Sequence, residues 1–183
     1  MAIFTSNDAS LGTKYWESPV TMNSTTDAKQ GMVNDYKRVG LIHFSDLNSI
    51  NWSTKIIKKI TLKLKHGESG NYDGTEKNSK KTFGIYTSKY QTAKEETKGG
   101  KDVFGVQLGT FTRICSRNAN VDDLILSSTD NETFFNNVVN YLKSSTTINT
   151  FCLYINDTAH ISGKSYSQNY LAVTKAVISI EYE

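Results

Sequence analysis

The sequence has little proline, cysteine or arginine, and each scarcity narrows what the chain can be. Its 183 residues include one proline, two cysteines and three arginines. Two cysteines are too few for a disulfide framework, so we expect Cys115 and Cys152 to be buried free thiols in strands. Proteins that read nucleic acid favour arginine for bidentate contacts with phosphate and guanine. We therefore expect no nucleic-acid partner.

Long apolar runs are missing as well. No stretch approaches the roughly 18 apolar residues of a membrane-spanning helix, and residues 1–8 lack the basic start and apolar core of a signal peptide. The formal net charge is only +3. These features predict a protein made in the cytoplasm and not individually exported, with no membrane partner.

What the sequence contains instead is a succession of strand patterns separated by polar turns. In Lys59–His66 apolar residues alternate with outward Lys59, Lys63 and Lys65, a period of two that predicts a strand with one buried face. Arg38–Ser45 is apolar on both faces, as in a central strand. Further strand patterns occupy Lys14–Ser18, Thr82–Thr87, Val103–Ile114, Thr150–Ile155 and Ala176–Tyr182.

One segment, Thr129–Lys143, departs from this alternation. Thr129 and Glu132 form a capping-box pattern at its start. Its apolar residues then follow helical spacing; they are Phe134, Phe135, Val138, Val139 and Leu142. The spacing predicts a short α-helix near residues 130–143 that plugs one end of the strand structure with its apolar stripe.

Many short strands with one late helix predict a mainly β protein. The expected fold is an antiparallel β-sandwich, with a jelly roll as the favoured version. An immunoglobulin-like sandwich and a small barrel are the alternatives. We expect residues 1–183 to form a single β-sandwich domain, because the sequence shows no repeat or linker and its last residues read as a strand.

Two stretches resemble known proteins. Val39–Ile50 followed by Lys55–Leu64 resembles the strand, short loop and second strand that open bacterial and phage surface jelly rolls of the DNRLRE and carbohydrate-binding-module type. Ser165–Tyr182 is similar to the close of small virion proteins encoded by phages of Gram-positive bacteria. The resemblance implies an extracellular or virion-surface module. Because we expect no signal peptide, the resemblance favours a location in the virion.

Motifs for catalysis or for binding metals and cofactors are weak. His43, His66 and His160 show no ligand spacing, and we expect His43 to be a satisfied core or sub-surface residue. Asp122 and Asp123 lack the alternating acidic pattern of a calcium loop. No Gly-x-Ser-x-Gly motif is present. We predict no catalytic residue, no metal and no cofactor.

Surface contacts are the remaining candidates. Lys59, Lys63 and Lys65 could face an acidic partner or an anionic cell-wall polymer, or they could be lysines on a solvated face or an edge strand, where they discourage edge-to-edge pairing. Tyr166 and Tyr170, which we expect in the loop before the last strand, are candidates for stacking on a glycan or for a protein interface.

These expectations together predict a non-enzymatic structural protein on the surface of a phage or phage-like particle, in the capsid, the collar or the tail. The alternative is a receptor-binding or carbohydrate-binding module that recognises host cell-surface glycans. The expected partners are other virion proteins and further copies of the chain, with a trimer favoured. Host cell-wall polysaccharide is the partner that the alternative predicts.

Overall fold

A computed structural model of the chain describes residues 1–15, 28–33, 36–70, 80–88, 104–114, 123–144, 150–155 and 169–183. This part of the chain contains ten strands and one α-helix, α1, at Glu132–Ser144. Two turns of 3-10 helix, Leu47–Ser49 and Trp52–Thr54, precede the fifth strand. The strands are β1 Ala2–Thr5, β2 Ser10–Tyr15, β3 Ala28–Val33, β4 Tyr36–His43, β5 Ile57–Gly70, β6 Lys80–Ser88, β7 Phe104–Ile114, β8 Leu124–Ser127, β9 Thr150–Ile155 and β10 Asn169–Tyr182.

The strands form two antiparallel sheets. We call the sheet with the order β3, β10, β5, β8 the front sheet, and β1 lies beside β10 at its end. The back sheet has the order β4, β9, β6, β7, and β2 lies beside β4. The β3–β4 pair joins the two sheets through hydrogen bonds.

The eight strands from β3 to β10 are paired first with last. β3 pairs with β10, β4 with β9, β5 with β8 and β6 with β7, all antiparallel. This succession is a long two-stranded ribbon rolled into two packed sheets, which is the jelly-roll topology. The predicted jelly-roll sandwich is therefore confirmed, with β1 and β2 added to the eight strands.

The core lies between the sheets and is closed by α1. Ile60, Leu62 and Ile178 of the front sheet share one buried cluster with Ile42 and Phe83 of the back sheet. The alternating apolar residues of β5 and β10 belong to this cluster because a period of two sends them all to one face.

Helix α1 buries the stripe that its spacing predicted. Phe134, Phe135, Val138 and Leu142 are buried in the core cluster. The predicted capping box is wrong, since the helix starts at Glu132 and Thr129 Oγ1 instead lies 3.2 Å from Asp130 Oδ2 in the preceding turn. The spacing of the apolar residues thus predicted the helix correctly, whereas Thr129 of the predicted capping box belongs to the turn before it.

Strand bounds were predicted well where alternation is strong. The predicted strand Thr150–Ile155 coincides with β9, and Val103–Ile114 differs from β7 by one residue. β5 continues to Gly70, into a segment that reads as a turn in the sequence. β1, β3 and β8 were not predicted, because β1 and β8 have only four residues each and β3 has little apolar alternation. The predicted strand Lys14–Ser18 shares only Lys14 and Tyr15 with β2, and its other residues lie outside the described part of the chain.

Candidate interaction surface

The predicted lysines lie on the outward face of the front sheet. β5 places Lys59, Lys63 and Lys65 there, while Ile60, Leu62 and Leu64 point inward. The neighbouring strand β10 adds Lys175, Val177, Ser179 and Glu181 to the same face through its register with β5. We call these seven outward residues of β5 and β10 the lysine face. The outward orientation of the lysines is confirmed.

Two of the three lysines predicted as contacts, Lys59 and Lys63, make ion pairs with neighbouring strands or turns. Lys59 stands directly opposite Glu181 in the register, and its Nζ lies 3.3 Å from Glu181 Oε1. Lys63 Nζ lies 3.7 Å from Asp123 Oδ2. Exposed pairs of this kind contribute up to about 1 kcal/mol each. They neutralise charge on the face more than they stabilise the fold.

Lys65 differs from the other two lysines. It makes no ion pair within the described part of the chain, and it stands directly opposite Lys175 of β10. Lys175 Nζ in turn lies 3.1 Å from Asp8 Oδ2. Like charges directly opposite each other across two strands are unfavourable, so this end of the lysine face is its most positive part.

Strand pairing separates the two structural interpretations of these lysines, a solvated face and an edge strand. β5 pairs with β10 on one side, and β8 pairs with its other side only from Lys59 to Leu62. Lys59 therefore lies inside the front sheet, and the edge-strand interpretation is wrong for it. Lys63 and Lys65 lie beyond the β8 pairing and are exposed on the face of the sheet, as the solvated-face interpretation expects.

Exposed apolar side chains gather near one end of the front sheet. Ile3 of β1 stands opposite Glu181, and Ile56 exchanges two backbone hydrogen bonds with Glu183, at 2.8 and 3.0 Å. Ile3 is 66% exposed, Ile56 is 58% exposed and Met1 is also exposed. Sequence reasoning missed this group. The signal was the adjacent pair Ile56 and Ile57, because a strand with one solvent-exposed face buries only one of two adjacent residues.

Neither tyrosine candidate adds a described side chain to the lysine face. Tyr166 lies outside the described residues. Tyr170 was expected in a loop, but it is the second residue of β10. There it stands in register with Gly31 of β3 and with Gly70 of β5, two neighbours that have no side chain.

An aromatic cluster that the sequence did not predict lies beside the exposed apolar group. Trp52 packs edge-on against Phe4 and Tyr182, with ring centroids 5.6 and 5.4 Å away. Its indole N–H donates to the carbonyl of Leu47 at 2.6 Å. Because Trp52 is buried, it offers no open ring face to a sugar. The cluster anchors the first and last strands to the 3-10 turns.

The remaining titratable candidates have structural surroundings. Cys152 is a buried free thiol, as predicted, and burial raises its pKa to about 12. Cys115 lies outside the described residues. His43 is half-buried, its Nδ1 lies 2.9 Å from the hydroxyl of Thr150, and burial lowers its pKa. The expectation that His43 is a satisfied sub-surface residue is confirmed.

A polar cleft of about 450 Å³ separates β7 from the start of α1. Its described lining includes a single carboxylate, that of Glu132, between the amides of Gln107, Asn131 and Asn137. Among the described residues, no three His, Cys, Asp or Glu side chains come together as metal ligands would. None of the described helices has the length and apolar character of a membrane-spanning helix.

Comparison with known proteins gives little beyond these observations. No protein-family model matches the sequence, and no curated protein matches it. The chain is similar to a chain in the crystal structure of the IBDV viral particle, with 10% sequence identity and a TM-score of 0.29. The match covers 98% of this chain and 30% of that chain, so this chain spans less than a third of its length. At this TM-score the likeness carries no functional argument.

Proposed function

We propose that the chain is a non-enzymatic structural protein of a phage or phage-like particle, displayed on the particle surface as part of the capsid, the collar or the tail. The supporting observation is the kind of apolar side chain that the described surface exposes. The large exposed ones are Met1, Ile3, Ile56, Val106 and Ile125. All of them are aliphatic, whereas every aromatic ring whose burial is described is buried or half-buried.

Aliphatic side chains on a solvent-exposed sheet face suit a protein partner better than a sugar. A protein interface spreads apolar and polar contacts over a broad surface, and the outward face of the front sheet combines Ile3 and Ile125 with the ion-paired Lys59 and Lys63. A carbohydrate site instead needs exposed rings that stack on the sugar, with polar groups around them.

Analysis of purified particles tests this proposal. Particles from a producing culture are banded on a density gradient, and their proteins are identified by mass spectrometry. Biotinylation of intact particles with a reagent that labels lysines then reports surface display through Lys143 of α1, which is exposed and lies off the lysine face. We expect the chain in the particle band, with label on Lys143 and protection of Lys63. A chain found only in the host extract, and not with particles, would contradict the proposal.

The alternative, a module that binds host glycans, rests on one observation. Tyr170 has a glycine directly opposite on each neighbouring strand, Gly31 and Gly70, and glycine contributes no side chain at either position. If this function is correct, purified cell walls should bind the protein, and Tyr166→Ala or Tyr170→Ala should abolish binding. Ile56→Ala is the matched control, since it removes an exposed apolar side chain elsewhere. Binding that both tyrosine variants retain would rule out this site.

A further inference from the structure

The four outermost strands of the two sheets are protected to very different degrees. An exposed strand edge presents unpaired N–H and C=O groups that can bind another strand. At β7, the Asn137 side chain of α1 donates to the carbonyl of Leu108 at 2.8 Å, and the ring of Phe134 packs directly against Gly109. At β8, the Asn131 side chain donates to the carbonyl of Ile125 at 3.0 Å. β2 contains a charged residue, Lys14.

β1 has none of these protections. Its sequence, Ala2-Ile-Phe-Thr5, contains no charge and no proline. It pairs only with β10, and its outer side makes no hydrogen bond within the described part of the chain. The side chain of Ile3, at the middle of this segment, is 66% exposed.

The backbone groups that face outward on β1 can be assigned. Ser6 N–H donates to the carbonyl of Ile178 at 2.9 Å, so Ser6 points its backbone groups toward β10. Neighbouring residues of a strand point these groups to opposite sides. Phe4 and Ala2 therefore face β10 as Ser6 does, while Ile3 and Thr5 direct their N–H and C=O groups away from the sheet.

We propose that the β1 edge binds the β1 edge of a second copy of this chain, antiparallel and about a two-fold axis at Ile3. In this register Ile3 stands opposite Ile3 of the second copy and exchanges both backbone hydrogen bonds with it, while the Thr5 N–H of each copy donates to the Met1 carbonyl of the other. The two front sheets then form one continuous sheet, and Ile3 packs against its counterpart on the outward face.

The charges next to the β1 edge are compatible with a second copy of the chain as its partner. In a two-fold contact only the groups beside the axis meet their own counterparts, so an unpaired charge at that place would be repelled by its own copy. The nearest charged side chains are already neutralised, because Lys59 pairs with Glu181 and Lys58 pairs with Glu183 at 3.1 Å. The two Met1 α-amino groups lie at opposite ends of the strand pair, offset by four residues or about 13 Å, which keeps their repulsion small. Backbone donors and acceptors on an antiparallel edge are complementary to themselves.

The contact is small, which sets its expected strength. A four-residue strand pair buries far less than the roughly 1,200 Å² of a standard interface, so we expect dissociation constants of about 0.1–1 mM in solution. An array that holds copies side by side would make such a contact effective. The trimer expected from the sequence would need a different contact, because this one closes at two copies. The inference does not depend on the function proposed above.

Sedimentation velocity over a concentration series up to about 1 mM tests the contact. We expect a dimer fraction that rises with concentration in the unmodified chain and vanishes in Ile3→Lys, where two like charges meet at the axis. Ile3→Glu alone should also be monomeric, and an equimolar mixture of the two variants should dimerise again. Val106→Lys, which changes another exposed side chain on the β7 edge, is the control and should leave the dimer unchanged.

Disulfide cross-linking checks the register. The background is Cys115→Ser, in which the remaining cysteine, Cys152, is buried and should not cross-link. Ile3→Cys should form a disulfide-linked dimer on mild oxidation, because opposed residues lie about 5.5 Å apart between Cα atoms. Thr5→Cys should not, since its two copies are offset by four residues, about 13 Å. A chain that stays monomeric throughout, an oligomer that Ile3→Lys leaves intact, or equal cross-linking at both positions would overturn the proposal.

Discussion

The outward face of the front sheet is open to solvent and charged, whereas the outward face of the back sheet is buried along β4, β9 and β6. On the front sheet Lys63, Lys65 and Lys175 are exposed. On the back sheet one row across the three strands, Leu41, Cys152 and Tyr86, is buried to 91% or more. A partner can therefore reach the front sheet, while the back sheet uses both of its faces within the molecule.

The sequence of each sheet carries this difference. β5 alternates apolar residues with lysine and threonine, as expected of a strand with one solvent-exposed face. β4 places Val39, Leu41 and Ile42 close together, without alternation, and all three are buried. In β6, Tyr86 lies directly over Gly84, where a larger residue would leave no room for the ring. Loss of alternation thus indicates a covered second face.

The largest contrast between the two faces should appear in thiol reactivity. In a Cys115→Ser background Cys152 is buried and its pKa is raised to about 12. A cysteine placed at Lys63 is exposed and keeps an ordinary pKa. Because the thiolate is the reacting form, we expect Cys152 to label at least about a thousandfold more slowly at pH 8 than Lys63→Cys. Ellman's reagent under native conditions measures both rates, and similar rates would mean that the back sheet is open.

A matched pair of substitutions measures the same contrast as stability. Val39→Ala removes a fully buried side chain from the outward face of the back sheet, while Val177→Ala removes a half-buried one from the lysine face. We expect Val39→Ala to lower the free energy of unfolding by about 2 kcal/mol and Val177→Ala by less than about 1 kcal/mol. Urea denaturation monitored by circular dichroism gives both values. Equal losses would remove the distinction between the faces.

Local sequence patterns predicted which side chains face the core in each segment, but not which strands pair with each other. The outward direction of the lysines and the apolar stripe of α1 follow from periodicity within one segment. The partner of Lys59 does not, since Glu181 lies 122 residues away (181 minus 59) and becomes a neighbour only through the β5–β10 pairing. The exposed β1 edge was missed for the same reason, because the identity of an edge strand depends on the strand order of the whole sheet.

His43 provides a pH-dependent test of the covered face. Burial disfavours its charged form, so its pKa in the folded protein lies below the ordinary value of 6.5. The unfolded chain then binds a proton more readily than the folded chain. Stability should be complete above pH 6.5 and should fall as the pH drops below it. Denaturant unfolding at pH 8 and pH 5.5 should show a larger loss for the unmodified chain than for His43→Gln, and equal losses would place His43 in a solvated site.

The smallest expected change in stability comes from charge reversal on the lysine face. Lys65→Glu and Lys63→Glu should change the stability in opposite directions. Lys65 faces Lys175, so Lys65→Glu replaces a like-charge pair with an opposite-charge pair and should stabilise the fold by about 0.2–1 kcal/mol. Lys63→Glu instead breaks the pair with Asp123 and sets two carboxylates near each other, so it should destabilise by a similar amount. Both differences should shrink at high salt, because exposed charges are screened over about 3 Å at 1 M ionic strength. Thermal unfolding at low and high salt measures them. Destabilisation by both substitutions would mean that Lys65 interacts with a group other than Lys175. The Lys65 end would then not be the most positive part of the lysine face.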